Sequence, residues 1–371
     1  MFYFGVEHEV AFINNQGKFA DFSCTQFDDF NQIIQKLPIY MDDYSQLRIG
    51  DAGIKQKRWY IEGFERFADS EKVIDCVPKG IEIRTTIHST IQGVIAELSN
   101  SFELLRHVAA EWGFSPVLIS FNPGQKIYEP TPPLNQYELQ RIEASPEEQT
   151  AKIPMLTYGP DLNISMPSLT SEQVINLGKK LTFYSPYIIP FSFSSPFYQS
   201  KLWSGLSIRT YIRTGSRQAA TVFLEKPEDL IESNPILTKM ARIPSEVGRI
   251  EFKAFDSCDD FSLYGALLAL IKGIILDNSL PGCATVPDRD LHQISGRYGF
   301  ENKEIFLMAN QVLEAAETAL KDDLDLHLLE QLKDLLAPGK TKADRLINDF
   351  KEFGTIEEAL RQTYKLMGSG E

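Results

Sequence analysis

Apolar and polar residues alternate one by one over the first stretch of the chain, from residue 2 to residue 12. Because the side chains of a strand switch faces at every residue, this alternation predicts a strand with one apolar and one polar face. The apolar face carries Phe4, Val6, His8, Val10 and Phe12, so we expect His8 to be a core histidine. The polar face carries Gly5, Glu7 and Glu9.

Similar alternation recurs later in the chain and predicts further strands over residues 57–67, 80–88, 161–166, 205–213 and 249–255. A strand is also expected over residues 115–122. Five segments share an apolar face and a polar face with charges of both signs, namely residues 2–12, 80–88, 161–166, 205–213 and 249–255. Together the polar faces carry Glu7, Glu9, Glu82, Asp161, Glu251, Arg84, Arg209, Arg213, Arg249 and Lys253.

Helical spacing of apolar residues predicts helices over 25–36, 89–112, 171–184 and 261–276. The chain is expected to be almost entirely helical from residue 259 onward. Stretches rich in Pro, Ser or acidic residues predict loops, and the last four residues are expected to fray. The predicted loops cover residues 40–51, 128–149 and 186–203.

These elements predict an α+β fold in which helices cover the apolar face of a mainly antiparallel sheet. The polar face would then be open and form the active site. We expect a single catalytic domain over residues 1–371, with a mostly helical C-terminal part over 259–371 packed on it.

Composition narrows the classes of partner. With 37 basic and 51 acidic residues the net charge is −14, which argues against nucleic acid or an anionic membrane. The most hydrophobic run, residues 261–276, is too short to span a bilayer, and no signal peptide is evident. Four scattered cysteines indicate a reduced, cytoplasmic protein without structural zinc. Small-molecule substrates are expected, and self-association into a homo-oligomer stays open.

The pair of carboxylates at Glu7 and Glu9 permits two interpretations. Two like charges on one face are tolerated if that face is exposed to solvent, or if a cation lies between them. Carboxylates on a rigid strand suit Mg²⁺, which binds one or two of them together with phosphate and water. The arginines that accompany them favour a polyanion held through metal ions. Standard phosphate-binding glycine motifs are missing: Gly339-Lys340-Thr341 has Asp334 where a P-loop needs glycine.

Five short motifs, in order from residue 5 to residue 299, resemble the glutamate–cysteine ligase family of the second type, carboxylate–amine ligases with a glutamine-synthetase-like fold. Gly5 to Val10 resembles that family's G-x-E-x-E, and Glu82 lies in a match to its second acidic strand. The other matches are Ser195-Pro196-Phe197 with Gly205 to Arg209, Arg249 to Asp256, and Gly296 to Gly299.

The resemblance implies ATP and Mg²⁺ as cofactors and amide formation through an acyl phosphate. It implies metal ligands at Glu7, Glu9, Glu82, Asp161 and Glu251. It also implies catalytic roles for Lys253 and Arg297, and substrate binding by Arg209, Arg84 and Tyr211. The family default is γ-glutamylcysteine synthesis from glutamate and cysteine, a step of glutathione biosynthesis.

Two departures from the family pattern bear on the substrate. Asp161 and Asn163 stand where many members carry G-x-H-x-H, and Lys253 stands where the family has arginine. A lysine point charge cannot replace a bidentate guanidinium exactly. Two alternatives therefore stay open: a non-catalytic or regulatory nucleotide-binding protein of the same fold, and a phosphotransferase.

Overall fold

The structure is a computed structural model and describes residues 1–48, 56–213 and 215–367. The strands in this part of the chain are β1 Tyr3–Asn14, β2 Phe19–Ala20, β3 Trp59–Phe67, β4 Val73–Arg84, β5 Phe114–Val117, β6 Pro160–Ser165, β7 Phe197–Tyr198, β8 Lys201–Leu202, β9 Ala220–Leu224, β10 Thr238–Met240 and β11 Arg249–Phe252. The α-helices are α1 Phe27–Lys36, α2 Ile91–Glu111, α3 Gln136–Ala144, α4 Ser171–Ile188, α5 Ile208–Arg213, α6 Phe261–Leu276, α7 Arg289–Tyr298, α8 Lys303–Ala319, α9 Glu330–Leu336, α10 Lys342–Phe353 and α11 Ile356–Met367.

One mixed, mostly antiparallel sheet organises the fold. Its strands lie in the order β10-β9-β11-β6-β1-β4-β3, and β2 and β5 also pair with β1. Only β9 and β10 run parallel among these pairs. Strand β1 thus lies near the middle and pairs with both β4 and β6. This central position brings the acidic strands of the sequence together.

The apolar face of β1 packs into the core. On the apolar face His8 is fully buried, and its Nδ1 lies 3.1 Å from the hydroxyl of Tyr264 on α6. Its ring also packs edge-on against Phe261 and Phe102. Burial lowers the pKa of His8 to about 3, so it is a neutral core residue as expected. Each Leu or Ile buried on this side contributes roughly 1.5–3 kcal/mol.

Helices contact several strands of the sheet. Helix α2 packs on β1 and β4, α4 on β9 and β11, and α6 on β6. That helices lie on a single face of the sheet stays a prediction. Beyond residue 259 the described elements are helices α6 to α11 and two short 3₁₀ segments. No helix in the described ranges is both long and apolar enough to cross a bilayer.

Much of the predicted secondary structure is confirmed. The predicted strands at residues 2–12, 57–67, 161–166 and 249–255 overlap β1, β3, β6 and β11, and the predicted helix over 261–276 matches α6. The strand predicted over 80–88 is confirmed only up to Arg84, because β4 begins at Val73 and ends there. The strand expected over 115–122 is shorter and shifted, as β5. Helix α4 continues four residues beyond the predicted end and includes Pro186.

Three predictions were wrong. The loop expected over 186–203 contains the end of α4, a 3₁₀ turn at Ile189–Ser192 and the short paired strands β7 and β8. Residues 205–213, expected to be a strand, form helix α5 over most of their length. The isoleucines at 208 and 212 fit a helical spacing as well as an alternating one, and Ile208 is buried beside Phe121 and Leu156. The expected loop over 128–149 contains helix α3, which begins with a capping box between Asn135 and Glu138. The predicted fraying of residues 368–371 and part of the 40–51 loop fall outside the described residues.

Candidate active site

The polar face of the sheet forms the floor of a cavity of about 550 Å³. Strands β1, β3, β4, β6 and β11 supply the floor, and residues around α3, α5 and β10 supply further walls. Six of the carboxylates that line the cavity fall into two groups of three, because neighbouring strands place alternate residues side by side.

The first group is Glu7, Asp161 and Glu251, here called the Glu7 cluster. One carboxylate oxygen from each residue lies within 4.8 Å of the others. Glu7 is directly opposite Asp161 in the β1–β6 ladder, and Glu251 follows on β11 opposite Asn163. The antiparallel register alone therefore assembles this cluster from three separate parts of the chain.

The second group is Glu9, Glu62 and Glu82, here called the Glu9 cluster, and it satisfies the same distance limit. Glu9 is directly opposite Glu82 on β1 and β4, and Glu62 follows on β3. Glu62 was missed as a site residue, although alternation over residues 57–67 puts it on the same strand face as Tyr60. The missing information was that β3 pairs with β4.

The crowding of carboxylates changes their protonation. Burial raises the pKa of Glu62 to about 7, and the neighbouring Glu9 and Asp161 also raise it, whereas Lys79 lowers it. Burial and then the negative charge of Glu62 raise the pKa of Glu82 well above its usual value. Glu62 and Glu82 also form a hydrogen bond. The metal-free pair therefore retains a proton near neutral pH.

The Glu7 cluster is balanced instead by two cations. Lys253 donates to both Asp161 and Glu251, with 2.8 Å between its Nζ and the Glu251 Oε2. Arg249 lies 3.4 Å from both Glu7 and Glu251. Burial would raise the pKa of Glu251, but Lys253 and Arg249 outweigh it and hold the value at about 2. Burial raises that of Asp161 to about 6, against the attraction of Lys253.

Lys79 is a site residue that the sequence did not indicate. The β3–β4 register passes from Glu62–Gly80 to Gly63–Pro78, so Lys79 is the extra residue of a β-bulge. Its fully buried ammonium lies 2.6 Å from the Glu9 Oε1 and also donates to two backbone carbonyls, of Pro154 and Thr157. The bulge breaks the simple alternation that sequence reasoning relies on.

The donor set fits a hard divalent cation such as Mg²⁺. All six cluster residues offer carboxylate oxygens, and hard cations prefer oxygen ligands. Asn163, next to Asp161 and Glu251 in the ladders, supplies a further oxygen. Its Oδ1 is buried and has no hydrogen-bond partner in the described parts of the chain. Such an oxygen is costly unless a ligand satisfies it.

Most of the predicted site residues meet in this cavity. Its lining includes the five predicted metal ligands, namely Glu7, Glu9, Glu82, Asp161 and Glu251, together with Lys253, Arg84 and Arg209. Arg84 is largely buried, donates from Nε to the Lys57 carbonyl at 2.8 Å, and lies over the Tyr60 ring. It therefore forms one wall of the site next to Glu7, its partner in the β1–β4 ladder.

Arg209 occupies a different position from the expected one because it lies on helix α5. Its Nη2 donates to the Lys253 carbonyl at 2.9 Å, and its Nη1 donates to the Ala254 carbonyl at 3.2 Å. The same Nη1 lies 3.6 Å from the Asp256 Oδ1. Arg209 thus ties α5 to the chain after β11 through its two Nη atoms, whereas its buried Nε has no hydrogen-bond partner in the described parts of the chain.

Tyr211 and Arg297 are not among the residues that line the cavity. Instead they contact each other, with 3.3 Å between the Arg297 Nη2 and the Tyr211 hydroxyl. The Arg297 guanidinium also lies 5.6 Å from the centre of the Trp203 ring. The structure therefore does not bring these two predicted site residues to the carboxylates.

A model of glutamate–cysteine ligase family 2 (GCS2) matches residues 3–226. A bifunctional glutathione synthetase from Pasteurella multocida has a similar fold, with a TM-score of 0.60 and 12% identity over 99% of this chain. A glutamate–cysteine ligase from Francisella tularensis, solved in complex with AMP, has a TM-score of 0.57 and 10% identity over 100% of this chain and 89% of its own.

At such low identity these two likenesses establish the fold alone. The chain spans 52% of the Pasteurella multocida protein, about half its length. No functionally curated protein matches the sequence of this chain.

Proposed function

The chain belongs to glutamate–cysteine ligase family 2, and on that basis we propose that it is an ATP-dependent ligase that joins a carboxylate to an amine. The observation that carries the proposal is the pair of three-carboxylate clusters on one face of the sheet, inside a cavity of about 550 Å³. Six carboxylates, two of them buried and four half-buried, are costly to hold together without cations. Their arrangement suits a site that positions a metal–nucleotide complex.

The proposed chemistry has two steps. A carboxylate oxygen of the first substrate attacks the γ-phosphorus of ATP, and ADP leaves. The amine nitrogen of the second substrate then attacks the acyl carbon, inorganic phosphate leaves, and the nitrogen loses a proton. Activation is needed because a carboxylate is a poor electrophile with a poor leaving group. The protein contributes mainly positioning and charge stabilisation.

Each proposed role follows from position in the cavity. The Glu7 cluster and the Glu9 cluster would hold Mg²⁺, and the Asn163 Oδ1 would add a neutral ligand to the first. Mg²⁺ would neutralise the phosphate oxygens and orient the γ-phosphoryl group. Lys253, whose ammonium lies among the carboxylates of the Glu7 cluster, would stabilise negative charge on the transferred group. We treat residues 1–371 as a single catalytic domain.

Glutamate and cysteine are the proposed substrates by family default. The replacement of histidine by Asp161 and of arginine by Lys253 makes other amino acids equally worth testing. A nucleotide-binding protein without turnover is a second candidate, and one observation favours it. Lys253 already occupies the position between Asp161 and Glu251 where a cation could bind.

Incubation with ATP, Mg²⁺ and a panel of amino acids, singly and in pairs, tests the proposal. Ligation predicts phosphate release that requires two amino acids and yields an amide. A phosphotransferase would give a stable phosphorylated product with one substrate, and a binding protein would give no turnover. Glu7→Gln should abolish ligation while circular dichroism stays unchanged, and the exposed Glu103→Gln serves as the matched control. Full activity of Glu7→Gln would contradict the metal assignment.

A further inference from the structure

The wall of the cavity near α5 and β10 carries a group of cations, Arg213, Arg217 and Lys239. Two of them share one carboxylate. The Lys239 Nζ lies 2.6 Å from the Glu147 Oε2, and the Arg217 Nη2 lies 3.5 Å from the Glu147 Oε1. The group therefore holds three positive charges against one paired carboxylate.

Arg213 is the member without an ion pair in the described parts of the chain. It ends helix α5, and only 9% of its surface is exposed. Its Nη1 donates a long hydrogen bond of 3.4 Å to the Gln218 carbonyl. Burial lowers the pKa of Arg213 well below its usual value, and the nearby Arg209 and Arg217 lower it further. The negative charges of Asp161 and Glu9 raise the pKa of Arg213.

Arg209, one helical turn earlier on α5, differs from Arg213 in the partners of its guanidinium group. Both of its Nη atoms donate to backbone carbonyls, and Nη1 also faces the Asp256 carboxylate. It therefore acts as a structural tie. Arg213 has the Gln218 carbonyl as a distant partner and no carboxylate within ion-pair distance in the described parts of the chain. Burying a guanidinium without a compensating charge is unfavourable, and a perturbed group of this kind in a cavity is a candidate binding residue. A guanidinium matches the paired oxygens of carboxylates and phosphates.

We propose that Arg213, supported by Arg217 and Lys239, binds an oxyanion of a substrate. The oxyanion is either a phosphate group of ATP or the carboxylate of an amino acid substrate. This inference rests on the proposed function for the identity of those substrates, but not for the existence of the anion site. Arg213 would thereby take the substrate-binding role that the family resemblance implied for Arg209.

Thermal unfolding with inorganic phosphate as the probe tests the anion site without turnover. Phosphate should raise the melting temperature of the parent protein, since a ligand that binds the native state stabilises it. Arg213→Met should lose most of that rise. It should also unfold no earlier than the parent without phosphate, because the buried cation that is removed has no ion pair among the described residues. The matched control is Arg345→Met, which removes a half-exposed arginine of α10 paired with Asp259. An undiminished phosphate effect in Arg213→Met would overturn the proposal.

Arg213→Lys covers the case in which Arg213→Met does not fold. A lysine keeps the charge but cannot bind two oxygens at once, so phosphate should bind at least roughly tenfold more weakly. Unchanged affinity would overturn the proposal in the same way.

Calorimetric titration separates the two sources of the oxyanion. If Arg213 binds a phosphate group, Arg213→Met should weaken binding of a non-hydrolysable ATP analogue and leave glutamate binding intact. The reverse result assigns the carboxylate, and no change for either ligand rejects the role. Absence of amide formation by the parent protein would count against the proposed ligase activity alone, because these binding measurements need no turnover.

Discussion

The Lys253 ammonium donates a hydrogen bond to the Asp161 carboxylate, so two positions at which the chain departs from the family pattern contact each other. From the sequence they were independent substitutions, 92 residues apart. In the structure they are one ion pair at the edge of the Glu7 cluster. A carboxylate in place of histidine adds a negative charge, and the adjacent ammonium offsets it. The two departures are therefore expected to compensate for each other.

A double-mutant cycle at these positions tests that coupling. Asp161→His and Lys253→Arg each introduce the family residue. Each substitution alone should lower kcat/KM at a given Mg²⁺ concentration. Together they should retain more activity than the single losses predict, with a coupling energy of roughly 1–3 kcal/mol for groups in contact. The measurement is kcat/KM against Mg²⁺ concentration. Asp161→His combined with Arg345→Lys is the control pair and should be additive. Simple additivity of the first pair would show that the two positions act independently.

The two glutamates that flank Glu82 should respond oppositely to removal of their charge. Glu62→Gln relieves repulsion, so the metal-free protein should unfold no earlier than the parent. Glu9→Gln removes the carboxylate that lies 2.6 Å from the buried Lys79 ammonium, which should cost roughly 3 kcal/mol. Urea unfolding without Mg²⁺ measures both changes.

Both substitutions should weaken Mg²⁺ binding, by roughly tenfold or more. Isothermal titration with Mg²⁺ provides the measurement, and Glu103→Gln on the exposed side of α2 is the matched control. If Glu62→Gln bound Mg²⁺ with the affinity of the parent, Glu62 would not be a ligand.

The ion pair between Arg66 and Glu138 predicts an acid-sensitive contribution to stability. Glu138 accepts hydrogen bonds from Arg66 and from the backbone of Phe67 and Asn135, and these lower its pKa from the usual 4.5 to about 2. A carboxyl whose pKa is lower in the folded protein stabilises it above pH 4.5. That contribution of roughly 3 kcal/mol should fade as pH falls towards 2.

Glu138→Gln should therefore lower the free energy of unfolding at pH 7 far more than at pH 2.5. Denaturant titration at the two pH values measures the difference. The exposed pair of Glu129 and Lys152 offers a control, because Glu129→Gln should change stability by less than about 1 kcal/mol. An equal loss for Glu138→Gln at both pH values would assign the effect to packing.

Gly63 should be needed for the bulge that carries Lys79. A Cβ at this position would lie 2.2 Å from the Val77 carbonyl oxygen. Because this oxygen belongs to the backbone, the strand itself would have to move to relieve the clash. Gly63→Ala should destabilise the protein by roughly 2 kcal/mol or more and weaken Mg²⁺ binding at the Glu9 cluster. Gly124→Ala is the matched control, since its nearest neighbour would be 3.8 Å away. A Gly63→Ala variant with parental stability and Mg²⁺ affinity would contradict this geometry.

The sequence alone determined which side chains share a face of each strand. Alternation has a fixed period of two, so Glu7 and Glu9 had to point to one side and His8 to the other. The same rule placed Glu82 and Glu251 correctly. It also put Glu62 on one face with Tyr60, although only the pairing of β3 with β4 shows which carboxylates it joins.

Tertiary structure decided the pairings, the bulge and helix α5. Which strands become neighbours depends on contacts between residues far apart in the chain, and no local pattern encodes the order β6-β1-β4-β3. The bulge at Lys79 exists only relative to its partner strand. Ile208 and Ile212 fit either period, and the apolar surroundings of Ile208 resolved the choice towards a helix. Local periodicity thus specified faces, whereas long-range packing specified which faces meet.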